Sequence, residues 1–182
     1  MRAKEVDIKD LIQACLANNP QAQFELYSRY SKAMYSIAVR MLGNTPEAED
    51  ALQDAFVNAF KNLKKFDNRV SFGAWLRRIL INVCLNKLRQ KKLKWLELDF
   101  DIPVQEPLEE TQINPKELHA AVEKLPSGCK AVFVLKAFEG YRHEDISKEL
   151  GISLSTSKSQ FIRAKKILSY SLQKLMEIKN NG

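Results

Sequence analysis

The chain is poor in glycine and proline, with six of each in 182 residues. Few glycines means few places where the backbone turns left-handed cheaply, so long stretches must be regular. Nothing alternates polar and apolar residues with period two for long enough to make a strand, and the chain reads as all α. The three cysteines, Cys15, Cys84 and Cys129, lie far apart, and no CxxC or Cys/His pair has metal-site spacing. An odd count also argues against a disulfide framework, so the cysteines read as small buried apolar residues. His119 and His143 stand alone and carry no expected ligand role. No apolar run approaches the length of a membrane span, and MRAKEVDIKD at the N-terminus lacks the apolar stretch of a signal peptide. A cytoplasmic protein with no membrane insertion is expected. The chain also lacks a glycine-rich phosphate loop and any nucleophile with a plausible base, so neither an enzyme nor a cofactor is expected. Asp50 and Asp54, one helical turn apart with Glu47 nearby, are the strongest metal candidates. No histidine or further carboxylate has an obvious place beside them, and a solvated or partner-binding face is the better reading.

What is present is charge, unevenly placed. The net charge is +7. From Lys61 to Lys94 there are eleven Lys or Arg residues and one acid, Asp67. From Glu97 to Glu110 there are six acids and no base, and basic residues return at Lys158, Arg163, Lys165 and Lys166. Two basic blocks separated by an acidic one suggest two surfaces for a polyanion, joined by a segment that does not meet it.

The prolines punctuate helix starts. Asn19-Pro20, Thr45-Pro46 and Asn114-Pro115 each read as an N-cap followed by a first helical residue. Helices are predicted over residues 7–17, 20–42, 46–64 and 72–92, the second stopped by Gly43. The second carries Tyr27, Tyr30, Met34, Ile37, Ala38 and Met41 as its apolar stripe. The third buries Ala48, Ala51, Leu52, Ala55, Phe56, Ala59, Phe60 and Leu63, and the fourth Phe72, Trp75, Leu76, Ile79 and Val83. These four make an N-terminal bundle, residues 1–96. Residues 97–113, with Pro103, Pro107 and the acids, form a flexible acidic linker. A second small helical domain, residues 114–182, holds a helix to about Lys124, another from Pro126 to about Phe138, and a final pair.

That pair, YRHEDISKELGISLSTSKSQFIR from Tyr141 to Arg163, has the layout of a DNA-reading helix-turn-helix. Ile146, Leu150, Ile152 and Phe161 can close a small core, Gly151 makes the turn, and Ser153 can cap the second helix. Ser155, Thr156, Lys158, Ser159 and Gln160 are expected to point away from that core, with Arg163 and Lys166 further along. Such side chains reach base edges and phosphates in a major groove. The competing reading is a helical hairpin with a solvated polar face.

Two further surfaces stand out. Asp50, Gln53, Asp54, Val57 and Lys61 lie along the outside of the third helix, an apolar spot among acids and amides that suits protein docking. Around the fourth helix, Lys64, Lys65, Asn68, Arg69, Arg77, Arg78, Asn82, Lys87 and Arg89 make a basic, amide-rich surface. Trp75 could stack on a base, as single-strand binders require, but its spacing from Phe72 and Ile79 favours the core. Phe66, in the loop, is left open between the two.

FELYSRYSKAMYSIAVRMLGNTPEAEDALQDAFVNAFKNLKKFDNRVSFGAWLRRILINVCLNKLR, residues Phe24 to Arg89, resembles the first conserved domain of the extracytoplasmic-function (ECF) sigma factors of bacterial RNA polymerase, within the sigma-70 superfamily. The likeness lies in the LY…Y start, the AED…Q-acid…F helix and the F..WL..I..N…R helix. Residues Leu125 to Leu168, with LP, VF.L, EG, I…LGIS and KS…RA, resemble that family's second domain. The resemblance implies a sigma factor that binds core RNA polymerase and directs promoter-specific initiation. The outer face of the third helix, Asp50, Gln53, Asp54 and Val57, would dock on the clamp coiled coil of the largest polymerase subunit. Lys65, Phe66, Asn68, Arg69, Ser71, Arg78, Asn82, Lys87 and Arg89 would recognise and melt the minus-ten element of promoter DNA, with a flipped-out base held at the loop. Ser153, Ser155, Thr156, Lys158, Ser159, Gln160, Arg163 and Lys166 would read the minus-thirty-five element. The acidic linker would follow the RNA-exit path, although mobility alone explains its composition as well. An anti-sigma factor is a further expected partner.

The chain departs from the family pattern after the GIS turn, where Gly or Asn, Thr, Val, Lys, Ser, Arg is usual and Ser155, Thr156, Ser157, Lys158, Ser159, Gln160 stand here. Ser157 takes the place of a buried Val, which should weaken the hairpin core by about 1–2 kcal/mol unless the hydroxyl bonds a carbonyl one turn back. Gln160 in place of Arg removes a phosphate or guanine contact, although an amide can pair bidentately with adenine. The chain ends soon after this helix, and no extra C-terminal domain is expected. The alternative reading is a helix-turn-helix transcriptional regulator acting outside the polymerase, but such proteins usually dimerise and no dimerisation helix is evident.

Overall fold

The computed structural model describes residues 7–90 and 114–180, and among these all regular structure is helical. The expected linker, 97–113, and the expected domain limits at 96 and 113 lie outside the described residues. Helix α1 (Ile8–Leu16) starts at Asp7, whose carboxylate accepts from the Lys9 N–H, and buries Leu11, Ile12 and Cys15. Helix α2 (Pro20–Leu42) starts at Asn19, whose Oδ1 accepts from the N–H groups of Gln21 and Ala22 at 2.9 and 3.1 Å. Gly43, at φ +67°, follows its end in the left-handed region that glycine enters freely.

Helix α3 (Thr45–Lys61) begins one residue earlier than the Thr45-Pro46 pair predicts. Its cap is Asn44, whose Oδ1 accepts from Glu47 N–H at 3.2 Å. Asn outranks Thr as a cap, and Pro46 is as well placed at the second helical position as at the first. A short 3₁₀ turn (Leu63–Lys65) leads into the loop before α4 (Phe72–Gln90), which is capped by the Ser71 hydroxyl accepting from Ala74 N–H at 3.2 Å.

Close packing in this bundle rests on small residues. Ala48, Ala51, Ala55 and Ala59 on α3 are fully buried, and Phe56 beside them meets Tyr27 of α2 with ring centroids 4.8 Å apart. Tyr30 of α2 meets Phe72 of α4 at 5.3 Å, and a Cβ on Gly73 would come within 3.0 Å of the Tyr30 ring. The buried stripe of α4 is rotated from the expected one. Phe72 and Leu76 are buried as predicted, but Leu80, Ile81, Cys84, Leu85 and Leu88 complete the stripe, while Trp75, Ile79 and Val83 are only half-buried. The helix has apolar residues on two sides, so periodicity alone selects the wrong one.

In the second half of the chain, α5 (Pro115–Glu123) is capped by Asn114, whose Oδ1 accepts from Lys116 N–H at 3.0 Å. Helix α6 (Ser127–Phe133) widens into a π-helical turn over Val134–Phe138. A π turn brings residues five apart into register, and Phe133 and Phe138 meet edge to face at 5.8 Å. Helices α7 (His143–Leu150) and α8 (Leu154–Asn180) follow, joined through Gly151 at φ +66°. The long α8 packs on α5, α6 and α7. Val122, Val132, Val134, Leu135, Ile146 and Ala164 form the fully buried centre.

The chain divides into two compact units. One holds α1, α2 as far as Val39, α3, and α4 as far as Lys87. The other holds α5 onward, with Arg40–Gly43 and the residues from Leu88. No helix among the described residues is long and apolar enough to cross a membrane. The alanine stripe gives a direct test. Ala55→Leu should destabilise the first unit by about 1–3 kcal/mol, read as a lower denaturation midpoint in urea. An unchanged midpoint would mean that α3 is not closely packed there.

Candidate nucleic-acid and partner-binding surfaces

Burial of the alanines fixes what α3 shows to solvent. Asp50, Gln53 and Asp54 are exposed on the opposite side, and Val57 is 48% exposed among them. Gln53 also lines a groove of about 410 Å³ with Tyr27, Tyr35, Glu49 and Leu52. Asp54 faces a neighbour as well: its Oδ2 lies 3.6 Å from Lys87 Nζ on α4. A partly exposed pair of this kind is worth at most about 1 kcal/mol, but it joins two residues that the sequence assigns to different surfaces.

The loop and α4 form a second site. Lys65, Asn68, Arg69, Ser71, Arg78 and Asn82 are exposed there, and Lys87 is half-buried. Arg89 is exposed but falls in the second unit, where its guanidinium pairs with Glu149 at 2.7 Å, and the structure does not bring it into this site. Phe66 lies in an aromatic cluster, 5.2 Å from Trp75 and 5.7 Å from Phe72, edge to face with the latter. Trp75 is not in the core. With Ile79 and Val83 it lines a cleft of about 290 Å³, together with Asn58, Asn62, Asn82, Asn86 and Lys65. Sequence reasoning found Lys65 and Asn82 here but missed Asn58, Asn62 and Asn86. The signal was legible: asparagines at i, i+4 at the end of α3 and again within α4, beside a second apolar face on α4. Asn62 spends an amide N–H on the Asn58 carbonyl at 2.9 Å. A small cleft lined by an indole ring and amides, with cations beside it, suits a single unstacked base.

The helix-turn-helix holds two departures from expectation. Ser153 caps α8 as predicted, accepting from Thr156 N–H at 3.0 Å, and its hydroxyl is also bonded to those of Ser155 and Thr156. Ser155, Lys158, Ser159 and Lys166 are exposed, Thr156 and Arg163 half-buried. Gln160, expected on this outer face, is instead 3% exposed. It belongs to the stripe Ser157, Gln160, Ala164, Leu168 and Leu172, all buried at helical spacing. Its Oε1 accepts from Cys129 Sγ at 2.8 Å, and burial raises the Cys129 thiol pKa and keeps it a neutral donor. A side chain so placed cannot reach a base edge. Ser157, fully buried, shares a 2.9 Å hydrogen bond with His143 Nδ1 rather than bonding a carbonyl one turn back. His143 therefore has a structural partner that sequence reasoning missed. On the exposed stripe Ile162, 52% exposed, lies between Ser159 and Lys166.

Residues 26–94 match the family model of sigma-70 region 2, and residues 116–168 that of sigma-70, region 4. The ECF sigma factor SigW of Bacillus subtilis is 29% identical over 186 residues, covering 94% of this chain and 100% of that one. The ECF sigma factor SigE of Mycolicibacterium smegmatis is 30% identical over 152 residues, covering 79% of this chain and 59% of that one. Among solved structures, the sigma factor RpoE of Bartonella quintana, in complex with the anti-sigma factor NepR, gives a TM-score of 0.50 at 20% identity. The match covers 82% of this chain and 95% of that one, and shows a shared fold. The chain belongs to the extracytoplasmic-function group of the sigma-70 family. It is a promoter-directing initiation factor whose partners are RNA polymerase and promoter DNA, and a regulator acting outside the polymerase is not favoured.

The half-buried histidine gives this site a pH dependence. Burial foremost, then the charge of Lys136 with a smaller push from Lys158, outweighs the opposing pull of Glu144 and holds His143 below its ordinary 6.5. Between the lowered value and 6.5 the unfolded chain binds more protons than the folded one, so stability rises with pH there. Stability should be intact above 6.5 and fall as pH drops below it, in thermal unfolding followed by circular dichroism. Ser157→Ala should cost about 0.5–1.5 kcal/mol at neutral pH, because the half-buried imidazole nitrogen loses its partner. If the variant matches the wild type at neutral pH, the pair holds nothing together.

Proposed function

We propose that the two units divide the work of promoter recognition as follows. The first domain, residues 1–96, docks on core polymerase through Asp50, Gln53, Asp54 and Val57 and handles the minus-ten element through its loop, α4 and the cleft between α3 and α4. The second, residues 114–182, reads the minus-thirty-five element through the exposed face of α8, with residues 97–113 as the connecting linker. The observation that carries this reading is the cleft lined by Trp75, the asparagines and Lys65. An unstacked base is recognised by stacking and by hydrogen bonds to its exposed edge, and this cleft supplies both kinds of group. The polymerase surface docked by α3 is proposed to be the clamp coiled coil of the largest subunit, and the protein acts in the cytoplasm. Regulation by an anti-sigma factor is part of the same reading, supported by the structural likeness to a sigma factor solved with one.

Reconstitution with core polymerase tests the docking. Asp50→Ala combined with Asp54→Ala should abolish holoenzyme formation while leaving the fold intact, since both side chains are exposed. Normal assembly of the double variant would remove α3 from the interface. Asn82→Ala should slow promoter melting in the same assay without weakening assembly.

The reading helix carries a separate expectation. With Gln160 buried, the outward residues that can report sequence are Ser155, Ser159 and Ile162. An exposed aliphatic side chain among them fits a thymine methyl. Ile162→Ala should relax preference at one minus-thirty-five position, by about 1–3 kcal/mol. Lys158→Ala should instead weaken binding evenly and flatten its salt dependence, as loss of a phosphate contact does. Selection from randomised promoters at two salt concentrations separates the two. A position-specific loss from Lys158→Ala and an even one from Ile162→Ala would reverse the assignment.

A further inference from the structure

Asp67 is the single acid between Lys61 and Lys94. An acid on a surface meant for a polyanion weakens binding, so its presence needs a reason. The geometry supplies one. Asp67 Oδ1 accepts from the Arg69 backbone N–H at 3.1 Å, and its Oδ2 lies 3.1 Å from Arg69 Nε. Between them Asn68 sits at φ +59°, a left-handed conformation that Asn adopts more readily than most residues. The carboxylate thus spans a tight turn and forms an ion pair on the Nε side of the guanidinium. Arg69 remains 87% exposed and Asp67 57% exposed.

With the carboxylate on the Nε side, the two terminal amino groups of Arg69 form a side-by-side pair of donors on the opposite edge. That pair matches two adjacent acceptors, which promoter DNA offers on the O6/N7 edge of guanine or on a phosphate. A phosphate is reached well enough by a loose cation, as the surrounding lysines and arginines are placed to do. Fixing the orientation of one arginine, with an acid that opposes the DNA charge, helps only where direction matters. We propose that Asp67 is a positioning residue of the minus-ten surface, holding Arg69 so that its terminal amino edge reads a guanine. The proposal rests on the reading of this loop as a minus-ten contact.

The test uses holoenzyme reconstituted with core polymerase and a promoter library randomised through the minus-ten element. Wild type is compared with Arg69→Ala, Asp67→Ala, Asp67→Asn and the Asp67→Ala/Arg69→Ala double variant at two salt concentrations, with assembly and circular dichroism checked for each. Arg69→Ala should flatten a guanine preference at one position. Asp67→Ala should flatten the same preference by about two- to fivefold, the reach of an exposed pair, and the double variant should add nothing to Arg69→Ala. Asp67→Asn keeps an acceptor for the Arg69 backbone N–H but loses the charge that holds Nε, so it should resemble Asp67→Ala.

Wild-type preference in Asp67→Asn would reduce Asp67 to a turn-former and overturn the proposal. An even change across all sequences would make Arg69 a phosphate contact, with the same consequence. Additive effects of the two residues would show that Asp67 does not act through Arg69. If Arg69→Ala leaves both preference and affinity unchanged, Arg69 makes no DNA contact and the proposal falls with it. If Asn68→Gly, which keeps the turn, is silent too, the reading of the loop fails as well.

Discussion

The first unit depends on how closely α3 is buried. Four alanines at 48, 51, 55 and 59 run down that face beside Leu52 and Phe56, and each alanine is fully covered. Burial of one face commits the rest of the helix. Asp50, Gln53, Asp54 and Val57 must then face outward, and the last turn, with Asn58 and Asn62, must border the cleft beside α4. One helix therefore supplies core, outer face and cleft rim, without requiring any special backbone. The Asp54–Lys87 pair ties the outer face to α4. A ligand that takes up Asp54 frees a cation on the helix proposed to meet DNA.

The second unit solves a different problem, that of polar atoms inside a small core. Ser157 and Gln160 occupy buried positions on α8 at the point where it crosses α6 and α7. Each has a partner: His143 for the serine, Cys129 for the glutamine. Net gains from such bonds are modest, about 0.5–1.5 kcal/mol, while an orphaned partner costs about 1–3. The pairs therefore add little stability but strongly disfavour a shift in how α8 sits on its neighbours. The rings of Phe133 and Phe161, stacked with centroids 5.8 Å apart, pack in the same region without adding any polar demand. Orientation of the exposed stripe carrying Ser155, Ser159 and Ile162 follows from that registration.

Much of this was legible from residues alone. The caps at Asn19, Asn114 and Ser153, the glycine turns at 43 and 151, the alanine face of α3 and the exposure of Asp50 and Asp54 all follow from local chemistry acting on one helix at a time. The errors arose where two faces of one helix compete. On α4 the residues Trp75, Ile79 and Val83 look as apolar as a core stripe, and only packing against α2 and α3 decides which side is covered. On α8, polarity suggested that Gln160 points outward, although the spacing of Ser157, Gln160, Ala164 and Leu168 already placed it inward. Helical period, not side-chain polarity, sets which way Gln160 points.

The half-open apolar side of α4 has a physical meaning beyond that error. A helix face that is apolar yet incompletely covered leaves surface whose exposure to water is unfavourable, and a flat apolar ligand that covers it is favoured. Here it is small, edged by amides that can exchange water for a ligand's hydrogen bonds, and set beside Lys65 in a loop held by Phe66, Asp67 and the Ser71 cap. Such a site binds a single flat, polar-edged ring weakly by itself. The exposed face of α8 is likewise a few residues wide. On the proposed reading neither surface needs to be strong, because two weak contacts held on one scaffold act at high effective concentration. Weakness then serves selectivity: a promoter must satisfy both surfaces, and a partial match at one gains too little to hold the factor in place.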